Sequence, residues 1–284
     1  MLTRELKLKL TKSQVYTLNK WLVLLQAIYN WGVVKLNKDP CGWHETFDYE
    51  KQIMKSNLFH TKFDFTNLLA NHSKKLEIPS HSIAGMLSQC YNAYQRYWNK
   101  TGGKPKFKSF RNKLNSIPFP DLIPVSRVSS NTIRIPGLGK LKYFKQFLPE
   151  GKIKCSRIVK RSSGWFLILT IDTKYFIPII QNHNHVGIDT GFKSLATLSD
   201  GTEYPNHRYY VQGQKRLAQA QRGRNKKLAA RLHERIKNRR KDHNHKVSRQ
   251  IIENYDEIYI TKDNLKGQAK LFGKSVGDAG IAQL

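Results

Sequence analysis

The hydrophobic period of this sequence changes repeatedly along its length, and no single uniform architecture accommodates those changes. Thr3 to Leu10 alternates, with Leu6, Leu8 and Leu10 on one face and Glu5, Lys7 and Lys9 on the other, the pattern of a half-buried strand. Thr11-Lys12-Ser13-Gln14 then reads as a capping box, in which the Thr hydroxyl and the Gln amide satisfy free amides at a helix start. Leu18, Leu22, Leu25, Tyr29, Val33 and Leu36 follow at helical spacing, and Pro40 and Gly42 are expected to close that helix. Asp48 to Glu77 carries a weak pattern and is read as helical. A second apolar and aromatic stripe, Ile83, Leu87, Cys90, Tyr91, Tyr94 and Trp98, opens at Ser82 and stops before Thr101-Gly102-Gly103.

From Ile117 to Ile180 the texture becomes short β-type runs punctuated by Pro and Gly: Thr132 to Ile135, Lys140 to Phe144, Ile153 to Lys160 and Trp165 to Asp172. The last two join through Arg161-Ser162-Ser163-Gly164 like a hairpin. This predicts a small barrel or sandwich that the N-terminal strand completes, with the helical segment as an insertion. Pro178 to His185 reads as a linker. Beyond it come two strands (Val186 to Ile188, Ser194 to Leu198), a turn at Asp200-Gly201, a third strand, a long helical stretch from Val211 to Asn254, a strand (Glu257 to Ile260) and the start of another helix. That order predicts an α/β sheet with a crossover helix. Leu217, Leu228, Leu232, Ile236, Val247 and Ile251 line one side of the helical stretch, and Gly223 is a candidate break.

Charge narrows the partner. The chain has 50 Lys plus Arg against 20 Asp plus Glu, a net +30, while 39% apolar and 11% aromatic residues exclude the disordered class. Self-repulsion on that scale is relieved by a polyanion, whose phosphates release counterions on binding. The positive charge comes in acid-free tracts. Lys104 to Lys113 holds five basic residues and two aromatics, Phe107 and Phe110, and no acid occurs between Glu77 and Asp121. Between Glu203 and Glu234, Arg208, Lys215, Arg216, Arg222, Arg224, Lys226, Lys227 and Arg231 again have no acid among them. A solvated face mixes its signs; these tracts do not, and they predict nucleic-acid binding. No run reaches 18 apolar residues and MLTRELKLKL has no signal-peptide core, so the expectation is a soluble protein without a membrane partner. The three cysteines, Cys41, Cys90 and Cys155, lack C-x-x-C spacing and are expected to be buried in a reducing cytosol.

Asp189 ends an apolar strand in Val186-Gly187-Ile188-Asp189-Thr190-Gly191, where small residues let a metal or phosphate approach. A turn Asp is the plain alternative. Asp-Thr-Gly is also the aspartic-protease triplet, but a single-chain enzyme of that kind needs a second copy that this sequence lacks.

These residues resemble the TnpB (OrfB) family of insertion-sequence proteins, RNA-guided nucleases related to type V CRISPR effectors. The resemblance rests on Leu10-Thr11-Lys12-Ser13-Gln14, Tyr29-Asn30-Trp31, Gly103-Lys104-Pro105-Lys106-Phe107-Lys108-Ser109 and Ile135-Pro136-Gly137-Leu138-Gly139-Lys140. It continues through Gly187 to Lys193, Arg239 to Lys246, Asn264-Leu265-Lys266-Gly267 and Lys274 to Gly280. It implies an α+β and α/β multidomain protein: a first strand of a split, wedge-like β-barrel (residues 1–10), a helical recognition insert (11–113), the rest of the barrel (114–181) and a RuvC-like, RNase H-type domain (182–284). It further implies a guide RNA from the element's end and target DNA as partners, in the nucleoid-associated cytoplasm of a prokaryote, with oligomeric state open. The residues assigned to phosphates are Lys104, Lys106, Lys108, Arg111, Lys113, Arg222, Arg224, Lys226, Lys227, Arg231, Arg239, Arg240 and Lys246.

Asp189 matches the family's first RuvC carboxylate, and that chemistry uses paired Mg²⁺ held by three or more carboxylates. Where the family carries a Glu after its fourth strand, this sequence has Thr261, followed by Lys262; Asp263 and Asp278 are the candidate substitutes. The four-Cys zinc ribbon and third acid of the family are not found, so the expectation is an incomplete RuvC-like domain in a truncated chain, binding without cutting and without zinc. An active endonuclease with a rearranged site and a nuclease-dead transcriptional repressor are the alternatives.

Overall fold

The computed structural model describes residues 1–38, 43–48, 53–58, 62–69, 72–109, 112–120, 128–129, 131–173, 184–261 and 264–284. The chain divides into two compact units, Met1–Lys174 and Tyr175–Leu284.

The first unit is organised by its N-terminal strand. β1 (Leu2–Lys9) buries Leu6 and Leu8 as the alternation requires. α1 (Lys12–Lys38) follows with its capping box formed: the Gln14 amide donates to Thr11 Oγ1 at 3.2 Å and the Thr11 amide to Gln14 Oε1 at 3.1 Å. A hairpin of β2 (Trp43–Asp48) and β3 (Ile53–Leu58) comes next, then α2 (Lys62–Asn67), α3 (Ser73–Leu76) and α4 (Ser80–Trp98). The helical reading of 48–77 is therefore corrected at its start: Trp43 pairs with Leu58 and Asp48 with Ile53 in an antiparallel ribbon. Pro40, Gly42 and Cys41 lie outside the described residues.

Five more strands complete the unit: β4 (Ser116–Phe119), β5 (Thr132–Ile135), β6 (Gly139–Tyr143), β7 (Lys152–Arg161) and β8 (Gly164–Asp172). All pair antiparallel, in the order β4-β7-β8-β1-β6-β5. β1 divides its length between two neighbours, Leu2 to Lys7 against β8 and Leu8 and Lys9 against β6, which curls the sheet around α1. Among the described residues β4 and β5 remain edges, so the expected barrel is an open, curled half-barrel. One continuous core joins it to the helices: Leu18, Leu22, Leu25 and Val33 of α1 and Ile83, Leu87, Cys90 and Tyr94 of α4, each buried. Trp21 is 1% exposed, and its indole N–H donates to the Glu77 carbonyl at 2.8 Å. Gly137 (φ +75°) lies so close above that ring that a Cβ would stand 2.9 Å from it, so only glycine satisfies both the turn and the contact. Cys90 is buried but Cys155 is exposed, because it occupies a solvent-side position of β7; the expectation that the cysteines are core residues fails there.

The second unit begins with β9 (His185–Thr190), β10 (Ser194–Leu198) and β11 (Glu203–Pro205) as an antiparallel meander. α5 (Tyr209–Arg222) and α6 (Lys226–Asn254) cross over to β12 (Glu257–Ile260), which pairs parallel with β9, and α7 (Leu265–Ala279) follows. The sheet order is β11-β10-β9-β12. Val186 and Ile188 of β9, with Leu195 and Leu198 of β10, pack against Val247 and Ile251 of α6. The long helical stretch is two helices, not one. Gly223 ends the first, Arg224 takes a left-handed conformation (φ 49°), and Asn225 caps the second by accepting from the Leu228 amide at 3.0 Å. They fold back on each other around Leu217, Ala220 and Leu232. Gly213 permits the close approach, since a Cβ there would lie 2.7 Å from Ile236 Cδ1. No described helix is long and apolar enough to cross a membrane.

Candidate functional site

Asp189 sits near the end of β9, and the alternation of that strand decides which way it faces. Val186 and Ile188 point into the core beneath α6, so Asp189 emerges on the opposite face and is exposed. Gly187 shares that face, with its amide donating to Ser199 Oγ at 3.0 Å. The chain then turns tightly: a Cβ on Gly191 would meet the Ser194 carbonyl at 3.1 Å. In register, Asp189 is opposite Thr197 on β10. On the other side the last pair is Ile260 with Ile188, so the next residue, Thr261, comes to the level of Asp189. A hydroxyl thus stands where a second carboxylate would approach most directly. The hollow beside this strand end, about 260 Å³, is apolar, lined by Ile188, Ile251, Ile258, Leu265, Ile281 and Leu284 among others.

Asp278 has a different employment. It is 5% exposed near the end of α7, and its two oxygens accept from the Tyr210 amide at 2.7 Å and the Val211 amide at 3.4 Å. It therefore caps α5 from 67 residues away, a carboxylate at the positive end of a helix dipole. The same stretch is held from α6: the Asn244 side-chain amide donates to the Ala279 and Gly280 carbonyls at 3.2 and 3.0 Å, and the Arg240 guanidinium to the Gly277 carbonyl. Asp263 lies outside the described residues. Among the described residues no group of three or more His, Cys, Asp or Glu is placed to hold a metal ion. One exposed carboxylate flanked by threonines does not fit a pair of Mg²⁺ ions, which take several carboxylate oxygens between them.

The basic residues sort by what their charges meet. Arg222, Arg224, Lys226, Lys227 and Arg231 are exposed and gathered by the α5–α6 turn onto one helical-hairpin tip. Farther along α6, Arg239 lies over the Tyr209 ring at 5.1 Å, Arg240 is engaged with Gly277, and Lys246 pairs with Asp242 at 2.8 Å. In the first unit Lys104, Lys106 and Lys113 are exposed, whereas Lys108 is half-buried with its ammonium 5.4 Å from the Tyr29 ring centre. Arg111 lies outside the described residues.

Two arrangements were not read from the sequence. His207, Tyr209 and His243 form a ring cluster, with the two imidazoles 4.4 Å apart and His243 against the Pro205 carbonyl at 3.1 Å; burial pushes the His243 pKa below its ordinary value. The second is a side-chain clamp on the basic loop. Asn30 receives the Lys108 amide at 2.8 Å and donates to the Lys108 carbonyl at 2.9 Å, and Gln26 accepts from the Leu114 amide at 3.2 Å. Tyr29-Asn30-Trp31 and the Lys104 tract are separate motifs in sequence and one object in space; their common signal is a polar pair at i, i+4 on an otherwise apolar helix.

The described fold is a curled antiparallel half-barrel carrying a helical insert, followed by a four-stranded mixed sheet. The protein in "Cryo-EM structure of the Cas12f1-sgRNA-target DNA complex" shares it, with a TM-score of 0.52 and 13% identity over 95% of this chain and 71% of that one. Residues 177–271 match the OrfB_IS605 family, described as "Probable transposase". Two curated relatives agree: "Putative RNA-guided DNA endonuclease InsQ" of Escherichia coli (strain K12), 26% identical over 71% of this chain, and a "Putative RNA-guided DNA endonuclease" of Streptomyces pristinaespiralis, 25% identical over 96% of it. The matched region spans 53% of the first relative and 70% of the second.

Proposed function

We propose that this chain is a TnpB-like insertion-sequence protein that binds a guide RNA and target DNA and, in the form described, grips without cutting. Residues 1–10 and 114–181 act as the wedge, 11–113 as the recognition insert and 182–284 as a RuvC-like domain. The observation that carries the reading is an asymmetry. Five exposed cations meet on one hairpin tip, and more line the Lys104 loop, while Asp189 stands at its strand end with Thr261 where a second acid would be. Neutralising several phosphates supplies affinity without any catalytic group. Asp278, 5% exposed and already engaged by two backbone amides as the cap of α5, is a poor candidate to complete a metal site.

The test is binding of the full chain to RNA transcribed from the element's end, measured across salt. Neutralising six to ten phosphates makes affinity fall steeply, by about 10³ or more between 50 and 200 mM salt. A flat salt response removes the binding reading. In the same samples, Mg²⁺-dependent cutting of a guided target that is abolished by Asp189→Ala removes the non-cutting half and favours the rearranged-site alternative.

A further inference from the structure

The Lys104 loop has no secondary structure of its own, yet it is held at Lys108. From 103 to 109 the chain forms neither helix nor sheet. The carboxamide of Asn30 treats Lys108 as a neighbouring strand would, accepting from its N–H and donating to its C=O, while Gln26 takes the Leu114 amide farther on. Tyr29 lies under the Lys108 ammonium. Around that anchored residue, Lys104, Lys106 and Phe107 are all exposed, Phe107 by 52%. A large apolar ring is thus left more than half exposed between cations on an acid-free loop. It has the chemistry of a single-strand reader, in which cations follow phosphates and an aromatic face accepts a base.

We propose that loop 103–109 is a preorganised binding site for single-stranded nucleic acid. Lys104 and Lys106 meet phosphates, Phe107 stacks on an unpaired base, and Asn30 is the positioning residue that fixes the loop before the ligand arrives. The inference rests on the reading that the chain binds nucleic acid, and it goes beyond it by naming the base-contacting residue and its support. Without Asn30 the same contacts form, but the ordering entropy of several residues is lost on binding, so affinity falls while the number of phosphates met does not.

The experiment uses the full chain with labelled single-stranded RNA and DNA of about twelve nucleotides, and a DNA of the same length carrying abasic sites, in anisotropy titrations over several salt concentrations. Phe107→Leu is expected to weaken both base-bearing strands by about tenfold, leave the salt slope unchanged and abolish the preference over the abasic strand. Lys104→Gln with Lys106→Gln is expected to reduce the slope by about 1.4, two single-strand phosphates. Asn30→Ala is expected to weaken binding several-fold at unchanged slope. Combined with Phe107→Leu it is expected to cost less than the sum of the two single effects, because the ring's share of the loop's ordering is already lost. Phe107 is exposed, so its variant tests the site even where Asn30→Ala perturbs the fold. A wild-type chain that binds steeply while Phe107→Leu stays within twofold, or that binds the abasic strand equally well, overturns the proposal and leaves the nucleic-acid reading standing. A wild-type chain that binds no strand at low salt overturns both.

Discussion

The two units hold similar lengths of helix and unequal sheets, eight strands against four among the described residues, and build their cores differently. The first wraps its half-barrel and two long helices around one continuous core in which Trp21, Tyr94 and Tyr143 are all but fully buried. The second divides its apolar residues between two small clusters, one beneath the sheet and one inside the helical hairpin, and leaves Tyr259 and Ile260 of β12 more than 60% exposed. A core that encloses itself stabilises a unit without help. One spread over thin clusters leans on tethers such as Asp278, and on whatever binds it, since a ligand that prefers the folded form adds stability in proportion to its excess.

The sharpest way to break this contrast is in the first unit. Trp21→Ala removes a buried ring, its hydrogen bond to Glu77 and the contact that fixes Gly137, and is expected to cost about 3–5 kcal/mol, read as a lower urea midpoint for the half-barrel transition. A loss below about 1 kcal/mol would mean the core is not the continuous body described. In the second unit, Asp278→Ala is expected to cost about 1–2 kcal/mol and to speed hydrogen exchange selectively in the first turn of α5, as loss of a cap should. Unchanged exchange there would show that α7 is no tether. The smallest effect belongs to His243. Its folded pKa is below the ordinary 6.5, chiefly through burial, so its neutral form is favoured in the fold. The stability it contributes is present above pH 6.5 and is lost as pH falls through 6.5 toward the folded value. His243→Gln should flatten the acid-side decline of the second unit's melting temperature by roughly 2 °C, and an identical decline in both proteins would assign it elsewhere.

Period made much of this architecture legible. The stripe on α1 and most of that on α4 are buried as their spacing required, with Tyr91 and Trp98 only half-buried, and β1 alternates as its leucines require, because burial on one face leaves a direct trace in sequence. The β2–β3 hairpin left none: Trp43–Asp48 and Ile53–Leu58 lack strict alternation, and 49–52 carries no Gly or Asn to mark a turn. At the site, the exposure of Asp189 followed from its place at a strand end. The role of Asp278 was invisible, since two helices 67 residues apart must meet before a carboxylate becomes a cap. The Asn30 clamp was hidden for the same reason. Side-chain bonds across the fold have no period, and a lone amide on an apolar helix shows only that something polar is needed there.

The central place of β1 also sets a schedule. Leu2 pairs with Ile171, so once β1 has left the ribosome it waits for β8 before that edge is covered. At 5–20 residues per second that interval is roughly ten to thirty seconds. During it the helical insert can fold from local contacts, while a leucine-bearing strand stays unpaired. The lysines alternating with those leucines then serve a second purpose: like charges along a bare edge keep nascent copies from pairing with each other before the partner strand is made.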